Sequence, residues 1–372
     1  MPQSKTACIT FLGNPNLDSR LVNLSRSLRN EGINVKVIGF DWQSENFESI
    51  KNGVSIFKLD KQKFSLIFYF NFVKILFSKL TKIHADYYFA EDIYVLPITY
   101  LFSKLRKARL YYNSRELYSH IGGLRKKKKA QWLISIVEKI FIKKPAYVLT
   151  TGEMDATYLE KIYNITNTLV LRNLPSYKKP ANIINYRKLF NLPENRKIIL
   201  YQGVLLEGRG ISLTLKALVQ LPDVDFVILG EGVYRNKYEE KAKKLNVQNR
   251  THFLGAIKHE NLINYTAGAD IGLALIENIS LSYYYALPNK LFEYIIAQIP
   301  VLVTELPQME EIVNKYEVGE VLLNDTANEL SKVLTKMIIQ KDLLQKYKEN
   351  CKIAAKELNW EVEFSKVKNL LL

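Results

Sequence analysis

The stretch "KIILYQGVLLEGRGISL", residues 197–213, decides the fold. A short apolar run ends at Gly203, a loop carries Gly208, Arg209 and Gly210, and a segment with helical character follows. Strand, glycine turn and helix make one β-α unit. The same unit recurs outward in both directions. Upstream, strand-like runs are "ACITFL" (7–12), "NVKVIGF" (34–40), "YYFA" (87–90), "RLYYN" (109–113), "AYVLTT" (146–151) and "TLVL" (168–171). Helix-like segments at 17–31, 93–105, 126–143 and 153–163 lie between them. Downstream come "DFVILG" (225–230), "THFLG" (251–255), "DIGLAL" (270–275), "PVLVT" (300–304) and "GEVLL" (319–323). Alternation of this kind predicts parallel sheets covered by helices, an α/β fold. Two successive sets predict two doubly wound domains, and "RNLPSYKKPAN" (172–182), with two prolines and no periodicity, reads as the hinge. Ligands of such sheets bind outside the carboxyl ends of the strands, so two domains facing each other would make a central cleft.

A chain of 372 residues is too long for one ordinary core and suits two domains. With 48% hydrophobic residues it is a globular composition. Two cysteines, Cys8 and Cys351, speak against a disulfide framework and fit a reducing cytoplasm. The start, "MPQSKTACITFLG", has no apolar core of a signal peptide. Formal net charge is +16, unevenly spread. Residues 1–180 hold 29 Lys+Arg against 14 Asp+Glu, and residues 181–372 hold 24 against 23. An anionic partner for the first half follows: a membrane surface, a phosphorylated acceptor or nucleic acid.

In "YYYALPNKLFEYIIAQIPVLVTELPQMEEIV" (283–313), Pro288 fits the first position of a helix, and Leu291, Phe292, Ile295 and Ile296 give its apolar face. Lys290 then lies in the first turn and Glu293 about one turn along. A helix N-terminus already favours an anion, so a lysine there makes sense with a phosphate as guest. Glu293, an acceptor when ionised, would hold the paired hydroxyls of a ribose. An ordinary amphipathic helix with a solvated lysine is the alternative. Arg209 offers a fork for a phosphate at the end of the 197–203 strand. "LGEG" (229–232), with Gly230 and Gly232, is another tight turn after a strand. Three such loops in one half suggest a nucleotide diphosphate site.

The ordered set "YQG…GRG", "LGEG", "FLGAIKHENLINYTAGADIGLAL" and "LPNKLFEYIIAQIPVLVTELP" resembles the donor domain of retaining glycosyltransferases with the GT-B fold. It is most similar to family four, in its bacterial surface-polysaccharide branch. "NPNLDSRLVNLSRSLRNEGINVKVIGFD", "YFAEDIYVLP" and "LYYNSRELYSH" resemble the acceptor domain, and "NWEVEFSKVKNLLL" the last helix, which packs back on that domain. The resemblance implies two Rossmann-like domains. Residues 1–172, completed by 359–372, would bind the acceptor, and residues 173–358 the nucleotide sugar. It implies that Glu293 holds the donor ribose and that Arg209 and Lys290 neutralise the diphosphate. Gly203, Gly230, Gly232 and Leu291 would line the donor site. Catalytic roles would fall to Arg209, Lys290 and Arg115, without a metal, and UDP is the favoured donor base. Three positions depart from the family pattern. Tyr285 replaces the first acid of its Glu-x7-Glu motif, Arg115 in "NSRE" stands where a histidine is usual, and Val204 replaces an arginine. A non-catalytic sugar-nucleotide binder is therefore the alternative function.

Other patterns are weaker. "DVD" (223–225) looks like a metal-binding pair but opens a strand, the wrong end for a site. The four histidines show no metal-ligand spacing. No G-x-G-x-x-G follows the first strand. "SLIFYFNFVKILF" (65–77) is shorter than the ~20 residues of a spanning helix. It reads either as a buried helix or as a segment dipping into a membrane surface. In "LRKKKKAQWLISIVEKIFIKK" (124–144), Trp132, Leu133, Ile136, Val137, Ile140 and Phe141 share a helix side. Either that side packs on the sheet and the lysines are solvated, or Arg125–Lys129 touch anionic lipid. The second option would suit a lipid-linked glycan acceptor and a protein peripheral to the inner face of the membrane. A nucleic-acid-binding protein would explain the charge but not the phosphate-type loops in the neutral half.

Overall fold

The computed structural model describes residues 4–42, 50–51, 53–60 and 66–372. The chain forms two compact units, Met1–Asn173 with Phe364–Leu372, and Leu174–Glu363. The last helix, Trp360–Leu371, therefore begins in the second unit and ends in the first. Within the first unit its C-terminus is fixed by tyrosines: Tyr111 Oη donates to the Leu371 carbonyl at 2.5 Å, and Tyr87 Oη to that of Leu372 at 3.1 Å.

Among the described residues the first unit holds strands β1 (Thr6–Thr10), β2 (Asn34–Asp41), β3 (Ile50–Lys51), β4 (Val54–Lys58), β5 (Tyr87–Ala90), β6 (Arg109–Ser114), β7 (Tyr147–Thr150) and β8 (Thr168–Val170). Their order is β3-β4-β2-β1-β5-β6-β7-β8, and only the β3–β4 pair is antiparallel. The sequence reading has no strand between residues 40 and 87; β3 and β4 are additions. They escape it because β3 is two residues long and β4 buries only Ile56 and Phe57. The helices Leu66–Leu80, Leu96–Leu105 and Lys128–Phe141 are crossovers that lie side by side, with Phe77 against Phe102 and Tyr100 against Phe141. Right-handed crossovers advancing in one direction along a sheet put their helices on one face.

The second unit holds β9 (Lys197–Gln202), β10 (Val224–Leu229), β11 (Thr251–Gly255), β12 (Ile271–Ala274), β13 (Val301–Thr304) and β14 (Gly319–Leu322). All pair parallel in the order β11-β10-β9-β12-β13-β14. A parallel sheet is covered on both faces, which is why "KIILY" reads as a continuous apolar run. Its alternate residues feed two cores. Ile198 and Leu200 join Leu291, Phe292 and Ile295 of the helix Asn289–Ile296. Ile199 and Tyr201 join Leu215 and Leu218 of the helix Ile211–Leu218. Strand order reverses between β9 and β12, so the carboxyl ends of those two strands flank the switch point where such sheets bind ligands.

Candidate functional site

The loops leaving β9, β10 and β12 meet at this switch point. Gly203 N–H donates to the Leu229 carbonyl (2.9 Å), Leu205 N–H to that of Glu231 (2.9 Å), and Glu277 N–H to that of Gly208 (3.1 Å). Gly230 and Gly232 serve this interlock. Gly230 has φ +143°, and a Cβ there would stand 1.9 Å from the Gly203 oxygen; a Cβ at Gly232 would stand 2.4 Å from that of Leu205. Their immediate role is close approach of the protein's own backbone.

Helix Asn289–Ile296 starts one residue later than expected, with Pro288 as its N-cap at φ −77° and ψ 142°. An extended proline before the first turn directs the chain into the helix equally well. Lys290 occupies the first turn and reaches across the end of β9. Its Nζ lies 3.7 Å from the Tyr201 ring centroid, and a Cβ at Gly203 would stand 3.5 Å from it. Gly203 thus leaves the ammonium uncovered on that side. The Arg209 guanidinium sits 4.8 Å from the centre of the Tyr283 ring. Among the described residues neither cation forms an ion pair or a hydrogen bond. Burial, and then the neighbouring Arg209, hold the Lys290 ammonium well below the ordinary lysine range, with Glu293 opposing. Two cations on aromatic faces, Lys290 buried and Arg209 half-buried, form a ready site for an anion.

Glu293 faces the same strand end. Its Oε2 accepts a short hydrogen bond from Gln202 Nε2, and Gln202 Oε1 accepts from Thr266 Oγ1 at 2.8 Å. Burial raises the Glu293 carboxyl above the usual range, while Gln202, His259 and Lys290 oppose the shift. Leu291 is a correction. Its side chain is fully buried in the core and its N–H is taken by the Pro288 carbonyl at 3.1 Å, so it cannot line a ligand. Tyr285, in place of an acid, presents its carbonyl to Gln308 Nε2 at 2.5 Å. Val204 is exposed beyond the end of β9.

Arg115 lies in the first unit, just past β6, and its charge is already engaged. It grips both carboxylate oxygens of Asp18, at 2.8 and 2.5 Å, and lies 3.7 Å from buried Glu91. Burial would raise the Asp18 carboxyl, but Arg115 outweighs it and holds the group below its usual range. For Glu91 burial wins, and its carboxyl is raised. Asp225 of "DVD" is likewise consumed, by Arg196 at 2.6 Å and His252 at 2.8 Å, at the amino end of β10. Among the described residues no group of three or more His, Cys, Asp or Glu is placed to hold a metal ion.

The sequence reading missed Tyr201, Tyr283, Gln202 and Thr266. Tyr201 was within reach, because residues two apart on a strand share a face and Gly203 was already singled out. The remaining three depend on contacts between loops distant in sequence.

A Rossmann-like sheet in each of two units, the second with its switch point open to an anion, defines the α/β architecture of GT-B proteins. Residues 182–354 match the family described as Glycosyl transferases group 1. Two uncharacterized glycosyltransferases of Methanocaldococcus jannaschii are similar. One is 25% identical over 155 residues, 39% of this chain and 32% of the relative; the other is 27% identical over 139 residues, 37% and 34%. The alignments thus span about a third of each curated relative's length. Among solved structures, sucrose-phosphate synthase from Thermosynechococcus elongatus aligns with a TM-score of 0.80 at 17% identity over 98% of each chain. Anabaena HepE in complex with UDP and glucose gives 0.73 at 14% identity over 99% of each. WaaG, a glycosyltransferase involved in lipopolysaccharide biosynthesis, gives 0.69 at 18% identity over 98% of this chain and 99% of that one. At these identities the likeness establishes the fold.

Proposed function

We propose that the chain is a retaining glycosyltransferase that takes a sugar from a nucleoside diphosphate, UDP favoured, and passes it to a lipid-linked glycan acceptor in cell-surface polysaccharide synthesis. The second unit binds the donor and the first the acceptor. The observation that carries this is the pair Arg209 and Lys290, two cations without an acid partner at the switch point. In the reaction the bond from the sugar's anomeric carbon to the diphosphate breaks, and a bond to the acceptor oxygen forms on the same face. The acceptor's proton passes to the departing phosphate oxygen. Arg209, Lys290 and the N-terminus of helix Asn289–Ile296 stabilise the charge that grows on the leaving diphosphate. Fixed cations in that position make a metal unnecessary. The UDP bound by Anabaena HepE supports the choice of donor base. A thermal-shift screen against UDP, GDP, ADP and TDP tests the reading: one of them should raise the melting temperature, and indifference to all would sink it. A protein that binds one but neither transfers nor hydrolyses the sugar would be the non-catalytic binder.

The acceptor side carries a surface that fits a bilayer. On helix Leu66–Leu80, Phe68, Phe72 and Leu76 are buried while Ile67, Phe70, Val73 and Phe77 are exposed; residue 65 of the apolar run lies outside the described residues. On helix Lys128–Phe141 the inward face is Glu138, held by Tyr112 Oη at 3.0 Å and Tyr163 Oη at 2.8 Å. Trp132, Leu133 and Ile140 are exposed while Ile136, Val137 and Phe141 are half-buried, so this apolar side is only partly covered. Leu101 and Leu105 of the intervening helix are exposed too. Lys74, Lys104, Lys126–Lys129, Lys139, Lys143 and Lys144 are exposed on and beside these helices. Among the described residues no helix is long and apolar enough to cross a membrane. This surface supports the reading of a protein peripheral to the inner face of the membrane, with apolar side chains in the interface and lysines on anionic headgroups. The protein should sediment with anionic vesicles and be released by salt. Lys128→Gln should lower the partition about fivefold, from about 1 kcal/mol per basic residue near such a surface. Equal binding to neutral and anionic vesicles would count against it.

A further inference from the structure

Helix Lys128–Phe141 buries one residue fully, and it is an acid. Every other residue from 128 to 141 is exposed or half-buried. Glu138 Oε1 accepts from Tyr112 Oη of β6 at 3.0 Å. Its Oε2 accepts from Tyr163 Oη, at the end of helix Glu153–Tyr163, at 2.8 Å. Both tyrosines are buried. We propose that this grip on Glu138 is a rotational lock that holds Trp132, Leu133 and Ile140 outward for an anionic lipid surface. The proposal rests on the reading above that the first unit docks on a membrane.

Helix geometry links the acid to the apolar side. At about 100° per residue, Trp132, Leu133, Ile136 and Ile140 lie roughly 120–160° around the axis from Glu138. Fixing Glu138 inward therefore turns that side away from the sheet. Trp132, Leu133 and Ile140 are each more than half exposed, and Ile136 is half-buried. Donors on two separate elements hold the carboxylate from two directions, so the helix cannot roll about a single bond. Glu138 is thereby a positioning residue for side chains it does not touch.

Nothing in water asks for this register. A half-turn of the helix would cover the apolar side and return the acid to solvent, gaining apolar burial and sparing the desolvation of a carboxyl. Among the described residues no cation pairs with Glu138; burial raises its carboxyl above the ordinary range, and the two tyrosines oppose. A register that is unfavourable in water becomes favourable when something apolar covers the exposed side. Lys128, Lys129 and Lys139 are exposed on the same helix, and Lys143 and Lys144 just past it. Apolar side chains among lysines match the interface of an anionic bilayer.

Co-sedimentation of the full chain with anionic vesicles, paired with fluorine NMR of fluorotryptophan-labelled protein, tests this. The Trp132 resonance, assigned with Trp132→Phe, reports the exposure of that ring through its solvent-isotope shift. Glu138→Leu removes the lock and should lower the vesicle partition about tenfold, the effect of withdrawing one large apolar side chain from the interface. In the same variant without vesicles, the Trp132 ring should become less exposed. Glu138→Gln, which can still bond both tyrosines, should keep both readouts near wild type. If Glu138→Leu does not fold, Tyr112→Phe and Tyr163→Phe, each removing one bond, should move both readouts in the same direction and less far. An unchanged Trp132 ring in Glu138→Leu, or in both tyrosine variants where the leucine variant does not fold, would overturn the lock. A wild-type chain that is dimeric without vesicles, and monomeric as Glu138→Leu, would give this side to a second copy and overturn the lipid assignment. Wild-type protein that ignores anionic vesicles refutes the membrane reading and this inference with it; wild type that binds while Glu138→Leu binds equally refutes the lock alone.

Discussion

Replacing Lys290 with methionine should weaken nucleoside diphosphate binding by up to about a hundredfold and, in the same protein, raise the melting temperature. Both outcomes have one cause. The ammonium is desolvated, lies on the Tyr201 ring and has the Arg209 guanidinium as a neighbour. Without ligand this is an unfavourable place for a charge. With a diphosphate it becomes a charge-assisted hydrogen bond, which contributes about 1.5–3 kcal/mol. Methionine keeps the apolar stem and removes the charge. The pH dependence has a definite sign. Lys290 titrates below its unfolded value, so between the two values the unfolded chain holds the proton and the folded chain does not. Stability from this group therefore rises with pH across that interval, and the penalty is fully present below the folded value. The stability gain of Lys290→Met should be largest at low pH and fade as the pH approaches the ordinary lysine range. Arg209→Ala should also weaken the diphosphate, by tenfold or more, and leave nucleoside binding little changed. Calorimetry with nucleoside and nucleoside diphosphate separates the two effects. Unchanged diphosphate affinity in both variants would mean that these cations serve only the fold.

The second unit was legible because its signals are local. An apolar run bounded by Gly203 marks β9, and Leu291, Phe292, Ile295 and Ile296 mark the helix face that covers it. That helical pattern already placed Leu291 in the core; reading it as a ligand contact let a motif override periodicity. The pairing of Arg115 was hidden for a different reason. Its partner Asp18 is 97 residues away, and pairing across a sheet leaves no trace in the spacing around "NSRE". Helix Lys128–Phe141 misled because its apolar residues do share a side, but the sheet beneath offers Tyr112 and Tyr163, which take Glu138. A buried acid with two hydroxyl donors can turn a helix so that part of its apolar side, here Trp132, Leu133 and Ile140, is left exposed, and the sequence gives the acid without its donors.

Glu293→Gln should lower affinity for a ribonucleoside diphosphate by ~1–3 kcal/mol and erase its preference over the 2′-deoxy analogue. Gln202 holds Oε2 of this carboxylate and is itself held by Thr266, so the carboxylate is oriented before any ligand arrives. Its other oxygen keeps two lone pairs, enough to accept from both hydroxyls of a ribose. Burial disfavours the ionised form in the empty site, and Gln202, His259 and Lys290 favour it. Glutamine keeps the volume and can still accept from Gln202, so the fold should survive the change. What it loses is the charge that strengthens the bonds to the sugar. The competing explanation is that Glu293 exists to anchor the Gln202–Thr266 chain at the end of β9. Four titrations, two proteins against two nucleotides, form a double-mutant cycle that isolates the pairwise energy. A coupling of at least about 1 kcal/mol between Glu293 and the 2′-hydroxyl assigns the acid to the ribose. A coupling near zero, together with a lower melting temperature for Glu293→Gln, would return it to the fold and leave the site with cations for a diphosphate but no means of recognising the sugar attached to it.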